Sequence, residues 1–524
     1  MATIGTSTEG AKAGRGVAAA GGWRWTWPFA LYAALLALHA PLLNLPYFWD
    51  EAGYFVFAAL DCFQHGWLVP HSTLANGHPP LLSLYLAGAW RLAGFHPSVT
   101  RAAMLVWAAA LICGAYRLAR PRLGRAAWIP ALLLALTPLV FAQATLAQLD
   151  LPVAALVVWA LAEETHLWRC ALLLSAACLM KETAVIVPLA LLAVAGVRGW
   201  RARRRGQQAT WEWLSLLVPV AVLGLWFVYY HHRTGYWFGN PQYFAYNVAQ
   251  DARSLPRIGL ALLRRGWQLV GYDGTWLLTL LALLALVRVR RHGGKIGADP
   301  SAASPRTARA AMPASWLTVV AAYVIFHAVV GGAVLARYLL PALALYYIWL
   351  GGMLARLPRA GWWVAGCAGF LVTGWFWNPP YPFPYEDNLA YVSYVKLHQA
   401  AAQQLERQGS AAPIVTAWPA TDELTRPALG YVTRPLPVQA LEDFTPASMA
   451  GIHPPVERLY LFSRIYQPRR DIARLPLWAR WARRYFRYTP PADAGVWLAR
   501  FHLRPEFERH RAGQWVMVAG PSGP

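Results

Sequence analysis

Long apolar segments follow one another along most of the chain and are separated by short polar links. A membrane-spanning helix needs about 20 predominantly apolar residues, and many of the segments approach that length. They lack the 3.6-residue alternation of a surface helix and are apolar on all sides, as lipid or a bundle interior requires. The pattern predicts a polytopic α-helical membrane protein with about 11 to 13 spanning helices. The candidate segments are 28–46, 78–95, 101–118, 126–145, 150–164, 168–180, 183–199, 212–230, 272–287, 314–332, 336–354 and 361–377.

Basic residues concentrate in three of the links, 198–211, 288–313 and 355–360. Short loops rich in Lys and Arg remain on the cytoplasmic side of a membrane. These links therefore predict a bundle with a cytoplasmic N-terminus and an external C-terminus. The formal net charge of +23 comes largely from such arginines, so it does not indicate nucleic-acid binding.

If successive apolar segments cross the membrane in alternating directions, these cytoplasmic links divide the chain into three parts. Residues 1–27 form a flexible cytoplasmic tail rather than a cleaved signal, because the first apolar segment is followed by many more. Residues 28–377 form a transmembrane module with external segments at 47–77 and 231–271. Residues 378–524 form an external domain.

One stretch conflicts with this alternation. Asp150 and the first external loop are both predicted to lie outside, yet the segments 78–95, 101–118 and 126–145 separate them. An even number of crossings is required between two sites on one side. Either one segment is re-entrant or split, or two are merged, and the short first segment and Pro138 in the third are the features to examine.

The C-terminal part differs in composition from the rest. The whole chain is 57% hydrophobic, with a mean hydropathy of +0.33, which fits a membrane protein with a polar appendix. Ordinary charge density returns after the Pro- and aromatic-rich linker 378–385. A helix at 391–408 and short strands at 413–417, 458–462 and 515–518 predict a small α/β domain.

Two adjacent carboxylates, Asp50 and Glu51, lie at the outer end of the first apolar segment. A carboxylate at a membrane face can act as a general base or bind a divalent metal. A solvated loop start would explain the pair equally well. The aromatic neighbours Trp49 and Tyr54 favour function, because they place the pair beside a partly apolar wall. The segment 47–77 is also amphipathic and is expected to lie along the membrane surface.

Further charged residues occur where apolar segments begin or end. Asp150 and Lys181 are costly at the edge of the hydrocarbon unless they have a partner or a cavity. An ion pair of Lys181 with Glu182 or Asp150 would serve a purely structural role. Arg337, followed by Tyr338, opens an apolar segment from the outside. It is either a snorkelling side chain or a guanidinium that binds a phosphate.

Three more basic side chains are predicted near the outer face. His78 precedes two prolines, which favour the first turn of a helix, so the ordinary explanation is a helix start. The functional alternative is a cation held at headgroup depth, where it suits a phosphate. His232 and Arg233 follow another apolar segment. They could bind a phosphate or a metal, although adjacent histidines more often mark an interface.

In combination, these motifs resemble the GT-C membrane glycosyltransferases. They resemble in particular the bacterial family-39-like enzymes, which are related to protein O-mannosyltransferases and the lipid A aminoarabinose transferase. Trp-Asp-Glu-Ala-Gly-Tyr at 49–54 resembles their first-loop acidic motif, and Gly-His-Pro-Pro-Leu at 77–81 resembles their Gly-Lys-Pro-Pro-Leu helix entry. The stretches 149–152 and 336–341 also lie where the family has matching motifs. The resemblance covers about residues 28–377.

The resemblance implies transfer of a sugar from a polyprenyl-phosphate donor to a lipid, glycan or protein acceptor, on the periplasmic side of a bacterial inner membrane. Asp50 would be the general base of a single inverting displacement, and Glu51 and Asp150 would orient Asp50, the acceptor or a metal. The family's Lys is His78 here, so a permanent cation is replaced by one whose charge depends on pH. The predicted substrate- and phosphate-binding residues are His78, Arg337, Tyr338, Asp150, Lys181 and Arg233.

The sequence identifies no certain cofactor. A divalent metal stays open, with Asp50, Glu51 and His232 as candidate ligands. The five cysteines are scattered without metal-ligand spacing, so they indicate neither a zinc site nor a disulfide framework.

Two other functions remain as alternatives. A transporter or flippase of a lipid-linked sugar would need intramembrane polar residues and repeat symmetry. The sequence shows few such polar residues and no visible repeat. A non-enzymatic envelope assembly protein would use the external domain for docking. The expected partners of the enzyme are the lipid-linked donor, an envelope acceptor and membrane lipids, without nucleic acid.

Overall fold

A computed structural model gives the fold of the chain. Most of the described residues are helical, and a five-stranded sheet lies toward the C-terminus. The predicted fold class, an α-helical membrane protein with a small C-terminal α/β domain, is confirmed. The described residues are 23–207, 212–242, 254–293, 312–409, 411–468, 475–486 and 488–521.

Every apolar segment predicted from the sequence coincides with a helix. Four helical stretches are long and apolar enough to cross a membrane by themselves, namely Pro97–Leu136, Glu182–Arg204, Trp213–Thr234 and Leu255–Arg291. The helices of this region are α1 (Trp23–His39), α2 (Val56–His65), α3 (Leu81–Ala93), α4 (Pro97–Leu123), α5 (Trp128–Leu136), α6 (Pro138–Gln143), α7 (Asp150–Ala162), α8 (Leu167–Met180), α9 (Ile186–Arg204), α10 (Leu217–Thr234), α11 (Leu255–Val270), α12 (Thr275–Gly293), α13 (Ala314–Val330), α14 (Leu340–Leu354) and α15 (Ala360–Thr373).

The ends of the helices define two faces of the bundle. At one of them, called the Asp150 face here, α7 begins and α8 ends at Lys181, which pairs with Asp150. At the opposite face, Glu163 after α7 pairs with Arg117 near the end of α4. With α5 and α6 counted together, eleven helices of the described chain run between the faces, within the predicted range. They are α1, α4, α5–α6, α7, α8, α9, α10, α12, α13, α14 and α15.

Helix α3 differs from the spanning segment predicted at 78–95, because both of its ends lie at the Asp150 face. His78, just before α3, contacts Glu182 beside Lys181. At the other end of α3, Trp90 Nε1 donates a 2.9 Å hydrogen bond to Thr100, whose hydroxyl the first loop also reaches. Only α4 and the α5–α6 pair therefore cross between the first loop and α7, which resolves the conflict in alternation.

The segment predicted at 126–145 is interrupted at Pro138. Helix α5 ends at Leu136, and Thr137 takes extended angles (φ −59°, ψ 129°) before α6 starts. The residue before a proline is driven out of the helical region by contact with the ring, so the break follows from the sequence. The interrupted pair still reaches the Asp150 face, because Gln143 at the end of α6 donates to the carbonyl of Glu386 at 3.3 Å. Glu386 and Asp150 both contact Arg337.

The C-terminal domain is a mixed sheet with helices around it. The strand order is β2-β1-β3-β5-β4, with β1 parallel to β2 and β3, and β5 antiparallel to β3 and β4. The predicted helix at 391–408 and the strands β1, β3 and β5 are present, whereas β2 and β4 were not predicted. The elements are α16 (Ala390–Gln408), β1 (Ile414–Ala417), α17 (Ala420–Thr425), β2 (Val438–Leu441), α18 (Pro446–Ala450), β3 (Arg458–Phe462), α19 (Pro476–Phe486), α20 (Ala494–Phe501), β4 (Leu503–Arg511) and β5 (Gln514–Pro521).

Candidate active site

The acidic loop opens with an unusual turn. Trp49 has a φ of +48°, and a single π-helical turn, Glu51–Phe55, follows directly after Asp50. Single π turns occur frequently at functional sites, where they change the direction of neighbouring side chains. At this turn the two adjacent carboxylates bind different arginines. Asp50 pairs with Arg337, and Glu51 pairs with Arg101.

Glu51 is fully buried and pairs with Arg101 from α4, at 3.4 Å. Its carboxylate also accepts hydrogen bonds from the backbone N–H groups of Ala147 (2.6 Å) and Phe48 (2.8 Å). Burial raises the pKa of Glu51, while Arg101 and these N–H groups act in the opposite direction. Glu51 therefore contacts Arg101 rather than the group around Asp50, and these contacts hold the loop. Its predicted catalytic role stays a prediction.

Arg101 completes this link between two chain segments. Its guanidinium donates to the carbonyls of Leu45 and Pro46 before the acidic loop, and to the carbonyl of Thr145 shortly before α7. Sequence reasoning missed Arg101, because the residue opens an apolar segment and resembles an interfacial anchor. The Glu51–Arg101 pair fixes the acidic loop against the segment that carries Asp150.

Arg337, just before α14, lies among three carboxylates. Its Nη2 pairs with Asp50, and its Nε is 3.4 Å from Asp150 Oδ2 and 3.3 Å from Glu386 Oε1. The Arg337 side chain is 4% exposed, and its Nη1 has no hydrogen-bond partner among the described residues. Asp50 is the most accessible member of this cluster, with 19% of its side chain exposed.

A second cation, Lys181, extends the cluster. Its Nζ donates to Asp150 Oδ1 at 2.6 Å and lies 4.1 Å from the centre of the Tyr338 ring. A cation over an aromatic face is stabilised by the ring quadrupole. The structure therefore brings five of the predicted residues into one network, namely Asp50, Asp150, Lys181, Arg337 and Tyr338.

Glu386 and Asp387 were not predicted, although they join this network. They follow the Pro-rich linker and lie in a short 3₁₀ turn, both buried. Asp387 accepts a 2.5 Å hydrogen bond from the Tyr272 hydroxyl. Burial raises the pKa of both carboxyls above the ordinary value, although the nearby charge of Arg337 acts in the opposite direction. An acidic pair directly after the linker 378–385 was the available signal.

His78 lies beside the network rather than within it. Its Nδ1 is 2.7 Å from Glu182 Oε2, and Glu182 follows Lys181 in the chain. The preceding Gly77 has a φ of +76°, and a Cβ there would lie 2.9 Å from the carbonyl oxygen of Phe238. This close approach of two backbones explains why glycine precedes His78.

The remaining predicted residues are not brought into the network. His232 and Arg233 are exposed at the end of α10, whereas the network is largely buried. Within the described ranges, no group of three or more His, Cys, Asp or Glu side chains could hold a metal ion. The candidate metal ligands Asp50, Glu51 and His232 thus do not form one centre.

The C-terminal domain packs on the acidic loop. The Trp418 ring covers Gly53, where a Cβ would lie 2.7 Å from the indole. Tyr47 N–H donates to the Leu429 carbonyl at 3.2 Å, and the Tyr431 hydroxyl donates to the Tyr47 carbonyl at 3.0 Å. The loop is therefore held between the bundle on one side and this domain on the other.

Known proteins match this chain in sequence and in fold. Residues 77–229 match the family model of dolichyl-phosphate-mannose-protein mannosyltransferase. The crystal structure of ArnT from Cupriavidus metallidurans in the apo state has a TM-score of 0.53 and 16% identity, covering 94% of this chain and 98% of that one. The same protein bound to undecaprenyl phosphate has a TM-score of 0.55 and 16% identity, covering 95% and 99%. Curated proteins give no significant sequence match.

These matches and the apolar helices define a multi-pass membrane protein with the fold of the GT-C glycosyltransferases. Its fold is similar to that of ArnT over nearly the full length of both chains. The resemblance predicted from the motifs is confirmed at this level. The family model begins at Gly77, within the predicted Gly-His-Pro-Pro-Leu motif.

Proposed function

We propose that this chain is an integral-membrane glycosyltransferase that moves a sugar from a polyprenyl-phosphate donor to an envelope acceptor. The observation that carries the proposal is the position of Arg337, a buried cation beside the accessible carboxylate of Asp50. A buried cation suits a phosphate leaving group, and an accessible carboxylate suits the activation of an acceptor.

Arg337 and Lys181 are the proposed phosphate-binding residues. A lipid-linked donor keeps its tail in the membrane, so its phosphate must be bound where the helices end. Nη1 of Arg337 is available for that bond, since it has no hydrogen-bond partner among the described residues. ArnT, whose fold is similar, is seen bound to undecaprenyl phosphate, which supports a donor of this chemical class.

In the proposed reaction, Asp50 takes the proton of the acceptor hydroxyl as its oxygen attacks the anomeric carbon of the sugar. The bond between that carbon and the phosphate oxygen breaks on the opposite face, so the configuration inverts. Negative charge develops on the phosphate, and fixed cations nearby stabilise it without reorganisation. Asp150 orients both cations, because its two oxygens face Lys181 and Arg337.

The other residues have supporting roles. Tyr338 confines Lys181 through its ring. His78, paired with Glu182, is a further proposed phosphate contact beside the site. Arg233 stays a proposed contact for a substrate that extends beyond the buried network. Whether a divalent metal takes part stays open, and no step depends on one.

The proposed location is a bacterial inner membrane, with the Asp150 face toward the periplasm. The basic links at 198–211, 288–313 and 355–360 support this orientation through the positive-inside rule. Residues 1–27 then lie in the cytoplasm, 28–377 form the catalytic module and 378–524 form the periplasmic domain.

The test is transfer by the purified protein in lipid nanodiscs, with a polyprenyl-phospho-sugar as donor and envelope extract as acceptor. Asp50→Asn should lower kcat about 10²- to 10⁴-fold, the usual contribution of a general base. Glu508→Gln, an exposed carboxyl on β4, is the matched control and should be as active as the wild type.

Three outcomes would contradict the proposal. A fully active Asp50→Asn protein would exclude Asp50 as the base. Movement of the donor across the bilayer without turnover would favour a flippase. Absence of both activities, with specific capture of envelope components, would favour an assembly protein.

A further inference from the structure

Helix α19 of the C-terminal domain has two chemically different faces. Successive residues of a helix are about 100° apart, so residues three and four positions apart share a face. Arg480, Arg483 and Arg484 thus lie on one side, and Trp478, Trp481 and Tyr485 lie opposite. Arginine opposite tryptophan and tyrosine is the composition of helices that lie in the interface of a membrane.

No residue of α19 is buried by the protein. Leu477 and Trp478 are 55% and 44% exposed. The three arginines are exposed as well. Trp481 and Tyr485 are half-buried, so contacts within the chain cover only part of the aromatic face.

The position of α19 connects this face with the lipid-facing surface of the bundle. Helix α19 packs against α11, which carries the exposed apolar side chains of Leu255 (79%) and Leu263 (73%). Helix α11 is fixed at the Asp150 face, because Arg265 Nη1 donates to the carbonyl of Leu335 at 2.7 Å, between α13 and α14. Exposed apolar side chains thus occur both on α11 and on α19, the helix that packs against it.

We propose that α19 is an interfacial helix that binds the headgroups of anionic phospholipids at the Asp150 face. Its aromatic side enters the boundary of the acyl chains, and Arg480, Arg483 and Arg484 contact lipid phosphates. Charge complementarity favours a lipid occupant, since basic residues next to a membrane are attracted to its anionic surface. The continuity with α11 favours the membrane over a soluble partner.

The test is hydrogen exchange of the full-length protein in nanodiscs of phosphatidylcholine, with and without about 30% phosphatidylglycerol. We expect the backbone N–H groups of α19 to exchange at least tenfold more slowly in the anionic nanodiscs. The triple variant Arg480→Glu/Arg483→Glu/Arg484→Glu should lose this difference. The matched control is Arg504→Glu/Arg509→Glu/Arg511→Glu on the exposed strand β4, which should retain it.

Two outcomes would overturn the proposal. Exchange rates that are equal in both nanodiscs would show that α19 does not recognise anionic lipid. Retention of the difference in the α19 triple variant would show that the arginines do not make the contact. Because the measurement needs no sugar transfer, its result is independent of the proposed enzymatic function.

Discussion

Glu51 and Arg101 form a fully buried ion pair directly beside the carboxylate proposed as the base. The two adjacent carboxylates of the acidic motif thus have different partners. Glu51 fixes the loop to α4 and to the segment before α7, whereas Asp50 faces Arg337 and is partly accessible. The geometry separates structural and catalytic effects in a way that substitutions can test.

Replacement of Glu51 should affect stability first. Glu51→Gln leaves Arg101 as a buried charge without its counterion, and breaking such a pair costs about 3–5 kcal/mol. We expect a clearly lower unfolding temperature in detergent, measured by the fluorescence of the buried tryptophans. Asp50→Asn is the control, and should unfold near the wild-type temperature. A stable but inactive Glu51→Gln protein would return Glu51 to the catalytic group.

Replacement of Arg337 should weaken donor binding. Lys carries a compact charge and cannot face three carboxylates and a phosphate as a planar guanidinium does. We expect Arg337→Lys to raise the donor KM at least tenfold, about 1.4 kcal/mol of binding free energy, measured from initial rates over a range of donor concentrations. Arg356→Lys, beyond the other end of α14, should leave KM unchanged. An unchanged KM in Arg337→Lys would argue against a phosphate contact.

The contact between Gly53 and Trp418 should show coupling between the two domains. A Cβ at residue 53 would lie 2.7 Å from the indole, so Gly53→Ala should displace the acidic loop and lower kcat. In a Trp418→Ala background the clash is absent, and the same substitution should cost much less. Initial rates for the four proteins of this double-mutant cycle give the interaction energy between residues 53 and 418. Additive effects would show that the indole does not position the loop.

The donor KM should depend on pH through Glu386. Burial raises the pKa of this carboxyl, so it stays protonated at pH values where an exposed Glu is ionised. As pH rises further, its ionisation adds a negative charge that competes with phosphate for Arg337. We expect KM to increase with pH, and Glu386→Gln to weaken the increase. Asp422 in α17 is a carboxyl whose pKa is also raised by burial, and Asp422→Asn is the control. This variant should show the same increase of KM with pH as the wild type.

The placement of α3 can be tested by labelling. Ser72 precedes α3, and Ala93 ends it, and both are exposed at the same face. An impermeant maleimide should label Ser72→Cys and Ala93→Cys from one side, and Arg205→Cys only after permeabilisation. The native cysteines are all buried and should give little background. Labelling of Ala93→Cys and Arg205→Cys from the same side would restore α3 as a spanning helix.

The sequence identified Asp150, Lys181 and Arg337, because a charged side chain at the edge of the hydrocarbon is costly without a partner or a cavity. It could not decide which of Asp50 and Glu51 faces which cation, because that depends on one π-helical turn. It also missed Glu386, since a carboxylate in a polar linker carries no desolvation signal until the fold buries it. The helices were predictable from composition, whereas the path of α3 depended on contacts between distant residues.

The packing of the C-terminal domain on the acidic loop also has a consequence for biosynthesis. Chains emerge N-terminus first at about 5–20 residues per second, so Asp50 precedes Glu386 and Trp418 by on the order of tens of seconds. Throughout that interval Gly53 lacks its aromatic cover, and Arg337, once made, still lacks Glu386 until the chain has grown further. A ribosome-bound intermediate can thus hold every spanning helix and still be inactive. Truncation after α15 would trap the enzyme at that stage.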